Sequence, residues 1–440
     1  MRRALSAAAV FPLLLVVLAA EAPAACPGCL RAGAARIALS IPPGTPLAGY
    51  GDFARRLLVP DVLGRVPHAF WFRPNEGTLD PLAVRALVLE GGGQRLTWIS
   101  ADLIAVDAAF TARVGRALVE AGLPATALIV SASHTHSGPG AFMESGFLGV
   151  VSIDRRDREV RDALVDSLVR AVRRAEAAKA PARVAAASLT AHDLTTGRLG
   201  LPVDAEMIVL KIDAETGTPI ATVWNYAIHG TMLPPFNLRL SADVMGIASR
   251  EVEQATGAPA LFVNGAVGDV SPARHGEAEL VGAGRDLAAA VRAGLGAATP
   301  IAPSPFVLAT TRVALPSPAL SVRNCTASWV PRWLRLPLGT ALPETTELVA
   351  GRLSDVAWIT IPGELQSRLG RSVKQAGRPA VSRVLVAGVS NDYLGYFVTP
   401  VDYRRVTYVS CASLYGPEAG AMLTTAAESV LRTLAGSSAR

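Results

Sequence analysis

Short apolar runs with strand character alternate with amphipathic helical stretches along nearly the whole chain, and one run after another stops at a polar motif. "PATALIVSAS" runs into "HTHSGPG", "PIATVWNYAI" into His229, "PALFV" into "NGAVGDVSP", "SDVAWITI" into "PGE" and "SRVLVAG" into "VSNDY". Between them lie stretches such as "VDAAFTARVGRALVEAG" and "DREVRDALVDSLVRAVRRAEAAKA". The second sets Val160, Leu164, Leu168, Ala171 and Ala175 along one side and arginines along the other. Such alternation predicts an α/β fold. "RALVLEGGGQRLTWISADL" reads as a hairpin around a glycine turn, and helical crossovers permit parallel pairs, so the sheet is expected to be mixed.

Half of the 440 residues are apolar, enough for one large core or two ordinary ones. The 42 Lys and Arg stand against 36 Asp and Glu, and they alternate along helices instead of collecting in runs, which leaves no nucleic-acid footprint. Residues 1–25 read as an export signal: Arg2 and Arg3, an apolar stretch centred on Leu13 to Leu18, and the small-residue end Ala22-Pro23-Ala24. That stretch is shorter than the roughly 20 residues a spanning helix needs. The expected location is therefore outside the cytoplasm, periplasmic or secreted. Cys26 and Cys29 form a lone CxxC behind the signal, which suits a local disulfide or lipidation better than a zinc knuckle. Cys325 and Cys411 stand far apart in the chain.

The polar motifs share a position just past the carboxyl ends of apolar strands, where α/β proteins form their sites. His134, His136, His229, Asn264, Glu364 and Asn391 all fall there, and one shared pocket is the economical expectation. If the strand persists, His134 and His136 point to one face, because residues two apart on a strand do so. Imidazole and carboxylate together suit zinc. Each element has a plainer reading: HxH is a common pattern, His229 alone suits a satisfied core position, and Glu364 alone suits a helix N-terminus. Together they describe a candidate metallohydrolase. One irregular zone, about Pro316 to Thr346, carries "SWVPRWLRLPL", with Trp329 and Trp333 on loop-like chain. It is either a packed surface loop or an apolar lip for a lipid-like substrate.

"SHTHSGPGAF", "NYAIHGTM", "NGAVGDVSP", "IPGE" and "VAGVSNDYLGYFVTPVDYRRVTYVSCASLYGPEAG" occur in the order found in the neutral/alkaline non-lysosomal ceramidases, zinc amidases that cut N-acylsphingosines, and the chain resembles their catalytic domain from about residue 30 to 440. "LRAGAARIALSIPPGTPLAGYG" resembles that family's entry segment. The resemblance implies a single catalytic domain of two stacked mixed sheets flanked by helices, an αββα-like sandwich. It also implies one Zn2+ per chain held by His134, His229, Glu364 and Tyr403, with His136 as general acid/base beside a zinc-bound water. Arg198 in "TGRLG" would hold the reacting group, Tyr415 in "LYGP" would donate to the oxyanion, and Ser271 in "GDVSP" matches the serine taken as nucleophile in the family. A lone hydroxyl needs an activating base, so Ser271 is expected to bind or orient substrate.

The implied reaction is hydrolysis of ceramide to sphingosine and fatty acid, part of sphingolipid metabolism, with ceramide or a similar N-acyl lipid as partner and peripheral contact with membrane. Another N-acyl amide is the alternative substrate. An exported, non-catalytic zinc- or lipid-binding protein is the alternative class. The family's C-terminal immunoglobulin-like domain is expected to be absent. A serine hydrolase on Ser271 fits less well, because the chain has no GxSxG elbow.

Overall fold

The computed structural model describes residues 30–304 and 306–436. The signal expected over residues 1–25, and Cys26 and Cys29, lie outside them. The larger sheet runs through β1 (Arg31–Ala38), β2 (Ala83–Gly91), β3 (Gln94–Ala101), β4 (Ala127–Ala132), β5 (Ala180–Thr190), β6 (Glu206–Ala214), β7 (Pro219–Tyr226) and β8 (Ala260–Asn264). Its order is β4-β3-β2-β1-β5-β6-β7-β8. The terminal pairs β3–β4 and β7–β8 are parallel and the inner pairs antiparallel, as a mixed sheet requires. The β2–β3 hairpin closes on Gly92 and Gly93, whose φ values of 59° and 75° are the left-handed pair that a tight hairpin turn needs.

A second sheet follows with β9 (Phe306–Ala314), β10 (Thr345–Leu353), β11 (Val356–Thr360) and β12 (Arg383–Ala387), in the order β9-β10-β11-β12. Period-two alternation decides what each face meets. On β2, Leu87 and Leu89 join Trp98, Ile129, Phe306, Leu353, Trp358 and Leu385 in the core between the sheets. Ala86 and Val88 point the other way, into a core shared with α1 (Ala108–Glu120) and α2 (Arg158–Ala177). The β6–β8 end of the same face is covered by α3 (Asp243–Thr256) and α4 (Glu277–Ala297). The outer face of the second sheet packs on α5 (Ser367–Gly377) and α6 (Ala419–Gly436). Helices, two stacked sheets and helices again make the αββα arrangement.

The two sheets meet edge to loop as well as face to face. Short parallel pairing of Glu364–Leu365 with Tyr396–Phe397 extends beyond β11. Antiparallel pairing of Thr195–Gly197 with Val270–Pro272 lies beyond β8. These two clips stand beyond the carboxyl ends of β11 and β8 and carry Glu364, Tyr396 and Ser271. The Pro316 to Thr346 zone folds locally, Ala319–Ser321 pairing with Arg335–Pro337, and the Cys325–Cys411 disulfide ties it to the chain that follows Tyr396–Phe397.

Candidate metal centre

Strand β4 ends at Ala132, so the two-residue alternation that would bring His134 and His136 together does not extend that far. His134 instead takes a left-handed φ of 70°. Its backbone N–H donates to Leu103 O, that of His136 donates to Gly230 O, and Thr135 bridges Gly230. The kink turns both rings inward, with centroids 5.1 Å apart. A side chain at position 230 would collide with this segment, because a Cβ there would lie 2.5 Å from His134 O. Asn264 ties the two histidine-bearing segments, donating to Ser133 O at 3.1 Å and Ile228 O at 2.9 Å.

His134 Nε2 and His229 Nε2 lie 3.0 Å apart, and the Glu364 carboxylate closes the triangle at 3.2 Å and 3.3 Å. All three side chains are fully buried. His134 Nδ1 sits 2.7 Å from Ile104 O and His229 Nδ1 sits 3.2 Å from Val267 O, so the hydrogen-bond network assigns the ring protons to Nδ1. Burial, and then the neighbouring charge of Arg198, hold His229 well below 6.5, in its neutral form. The consequence is that two nitrogen lone pairs and a carboxylate converge with no proton between them. Glu364 Oε2 has no hydrogen-bond donor among the described residues. Such a set repels itself until a cation binds, and its N and O donors are those zinc accepts.

His136 stands beside this triangle. One ring nitrogen each of His134, His136 and His229 falls within 4.8 Å of the others. Neither ring nitrogen of His136 has a hydrogen-bond partner among the described residues. Burial, then the nearby positive charges of Arg198 and Arg55, holds it well below 6.5. It is a neutral base inside the site. Its backbone is clamped by Arg55, which donates to His136 O at 2.7 Å and Ala48 O at 3.0 Å, while Tyr50 lays its ring 4.7 Å from the imidazole.

Arg198 Nε donates to Ser271 Oγ at 2.8 Å across the Thr195–Gly197 clip, and a second nitrogen reaches the Tyr396 hydroxyl at 3.5 Å. Arg198, Ser271 and Tyr396 thus form one wall. The hydrogen bond recorded for the serine hydroxyl is to a guanidinium, which cannot take its proton.

Neither of two tyrosines implied by the resemblance has a hydrogen bond to the triangle among the described residues. Tyr403 sits in the short helix Pro400–Tyr403, half-buried against Leu199, Tyr396, Val398 and Val409, because Thr399 caps that turn and points Asp402 inward in its place. Tyr415 is buried against Phe397 in the core under α6, and its hydroxyl donates to Pro343 O at 2.7 Å, so it has no free donor for an oxyanion. Tyr393, by contrast, is bonded to the triangle. Its hydroxyl donates to Glu364 Oε1 at 2.6 Å, and burial together with the Glu364 charge raises its pKa far above 10, which keeps it a neutral donor. Asn391 also leaves the constellation, bonding Val130 N and Leu128 O along β4. The signal for Tyr393 was present, since it directly follows the strand-end motif "VSND". Arg55 and Tyr50 had no such signal, lying in a segment without strand or helix periodicity.

A model of the family "Neutral/alkaline non-lysosomal ceramidase, N-terminal" matches residues 73–284. A neutral ceramidase of Pseudomonas aeruginosa is 28% identical over 212 residues, covering 43% of this chain and 31% of that protein. Neutral ceramidase B of Dictyostelium discoideum is 26% identical over 173 residues, covering 34% and 24%. The match thus spans under a third of these curated relatives. In fold, the crystal structure of the Pseudomonas aeruginosa enzyme superposes with a TM-score of 0.77 at 19% identity, over 92% of this chain and 74% of that one. A ceramidase solved in complex with C2 gives 0.78 at 18% identity, over 92% and 75%. In sequence over residues 73–284 and in fold over 92% of its length, the chain resembles the neutral/alkaline non-lysosomal ceramidases.

Proposed function

We propose that the protein is a zinc-dependent amidase that hydrolyses the amide bond of ceramide, releasing sphingosine and a fatty acid. The observation that supports this most is the buried triangle of His134, His229 and Glu364 with a neutral His136 beside it. His134, His229 and Glu364 would hold the ion, one per chain. When bound, zinc would polarise the amide carbonyl and make hydroxide available near neutral pH.

The remaining steps belong to the chain's own groups. His136, neutral and unpartnered, takes a proton from the attacking water and returns it to the amide nitrogen as the C–N bond breaks. Water supplies the new C–O bond of the fatty acid, and the amine leaves with the proton. Arg198 faces the carbonyl from the opposite wall, with Ser271 fixing its guanidinium. Tyr393 orients Glu364 through their 2.6 Å hydrogen bond. Export from the cytoplasm is part of the proposal, supported by the three-part signal and by the Cys325–Cys411 disulfide, which persists in oxidising compartments.

The test is hydrolysis of a short-chain fluorescent ceramide, run with a chelator-stripped sample and His134→Ala, with elemental analysis alongside. One zinc per chain, turnover by the native protein, and loss of both in the variant are expected. Zinc without turnover would redirect the search to other N-acyl amides or to a binding protein. Turnover surviving complete removal of metal would overturn the mechanism.

A further inference from the structure

The two histidines of the triangle and the histidine beside it are held in different ways. His134 Nδ1 meets Ile104 O at 2.7 Å and His229 Nδ1 meets Val267 O at 3.2 Å, so each of these rings is turned by a hydrogen bond of its own. His136 has none, because neither ring nitrogen finds a partner among the described residues. Its backbone N–H donates to Gly230 O, which fixes the main chain and leaves the ring to packing. A group that passes a proton between water and an amide nitrogen has to keep its ring in one orientation.

The packing comes from one short segment, Ala48 to Arg55. Gly49 takes a φ of 107°, and a Cβ there would lie 2.8 Å from His136 Cα, Cγ and Nδ1, so the main chain itself lies against the imidazole. Tyr50 follows with its ring 4.7 Å from the imidazole at an interplanar angle of 54°, and its hydroxyl donates to Leu233 O at 2.9 Å. Arg55 lies over the Tyr50 ring, 4.7 Å from its centroid. It donates to His136 O at 2.7 Å, Ala48 O at 3.0 Å and Pro235 O at 2.9 Å. One guanidinium thus gathers three stretches of chain that are far apart in sequence.

A plain fastening of this segment does not need such a group. Arg55 is 1% exposed and makes no ion pair among the described residues, so carbonyl dipoles and the face of Tyr50 carry its charge. Only a planar fork supplies several donors in fixed directions at once, which a lysine does not. The neighbouring Arg56 shows the simpler arrangement. Its bonds go to Gly51 O, Val150 O and Val151 O, so it fastens the same segment without bonding His136.

We infer that Tyr50 and Arg55 are positioning residues for the amide hydrolysis, holding the His136 imidazole in the orientation that proton transfer needs. Tyr50 acts against the ring and Arg55 through the backbone carbonyl. The inference rests on the role given to His136 above.

The test compares Arg55→Lys and Tyr50→Leu with Arg56→Ala, which loosens the same segment away from His136, and with His136→Ala. In the zinc-loaded protein, turnover of the short-chain fluorescent ceramide is measured together with zinc content. The imidazole signals of the six histidines are followed by NMR, with His136→Ala identifying the signal of interest. Arg55→Lys and Tyr50→Leu should each lower kcat by roughly 10- to 100-fold, with KM within about twofold and zinc content unchanged. The His136 signal should be a single narrow line in the native protein and in Arg56→Ala, and broadened or doubled in Arg55→Lys and Tyr50→Leu. Tyr50→Phe, which keeps the ring, should restore most of the turnover lost in Tyr50→Leu. A His136 signal unchanged in both variants, or an equal loss of kcat in Arg56→Ala, would overturn the inference. Full turnover by His136→Ala, or no turnover by the native protein, would count against the proposed function, and the imidazole signal alone would then decide whether Tyr50 and Arg55 hold the ring.

Discussion

Ten residues separate Tyr393 from Tyr403, and the difference between them is which one can reach a carboxylate. Tyr393 leaves the end of β12 through the left-handed Asn391 and meets Glu364 directly, whereas Tyr403 is carried away in a capped turn. Removing a hydrogen bond to a charged group costs about 1.5–3 kcal/mol. Tyr393→Phe is therefore expected to lower zinc affinity or kcat/KM by roughly 10- to 100-fold. Tyr403→Phe is expected to stay within about twofold of the native protein, since it removes no contact with the centre. Zinc content and ceramide turnover of the two variants, measured side by side, decide between the tyrosines. Equal losses in both would return Tyr403 to the ligand set. Residue by residue, the histidines and Glu364 were legible because each follows an apolar strand. The tyrosines were not, because four of them lie within sixteen residues and sequence order alone does not say which faces inward.

Helix α3 begins at Asp243, a fully buried carboxyl on a residue with a φ of 55°. Burial, aided by the nearby Asp80 charge, pushes its pKa up to about 7 from the ordinary 3.8. Between those values the folded chain keeps a proton that the unfolded chain has released. Stability contributed at this position therefore falls as pH rises through that window, and the loss is complete above about 7. Three units of pH correspond to about 4 kcal/mol at most. Asn tolerates the left-handed backbone and carries no titratable proton. Asp243→Asn should flatten the fall in stability across the window and be the more stable protein above it, as read from urea midpoints at about pH 5 and 8. A slope unchanged by the substitution would place the titrating group elsewhere.

For the molecule as a whole, the Cys325–Cys411 disulfide closes a loop with a sequence separation of 86 and joins the tryptophan-bearing segment to the chain behind Tyr396–Phe397. Constraining so long a loop in the unfolded chain is worth about 4–5 kcal/mol as an upper figure. Reduction, or Cys325→Ser with Cys411→Ser, should lower Tm by several degrees while leaving zinc content intact, checked by calorimetry and elemental analysis. Loss of the metal in the reduced protein would mean that the disulfide also holds the centre together.

The alternation of strand and helix, the glycine hairpin and the run of polar motifs at strand ends were sufficient to predict an α/β chain with mixed sheets and a shared pocket at His134, His136, His229, Asn264, Glu364 and Asn391, while the ligand set within it was implied only by the family resemblance. Those features are local, and period and composition record them directly. What only the tertiary structure decided depends on contacts between residues far apart in the chain. The left-handed turn at His134 is such a case, admitted by a glycine at position 230, and so is the clamp of Arg55 on His136. The hydrogen bond of Tyr393 to Glu364 and the burial of Tyr415 are others. Side-chain direction at a strand end is set by the neighbouring strand's backbone and by what space the opposite sheet leaves, and neither is encoded within reach of the residue itself.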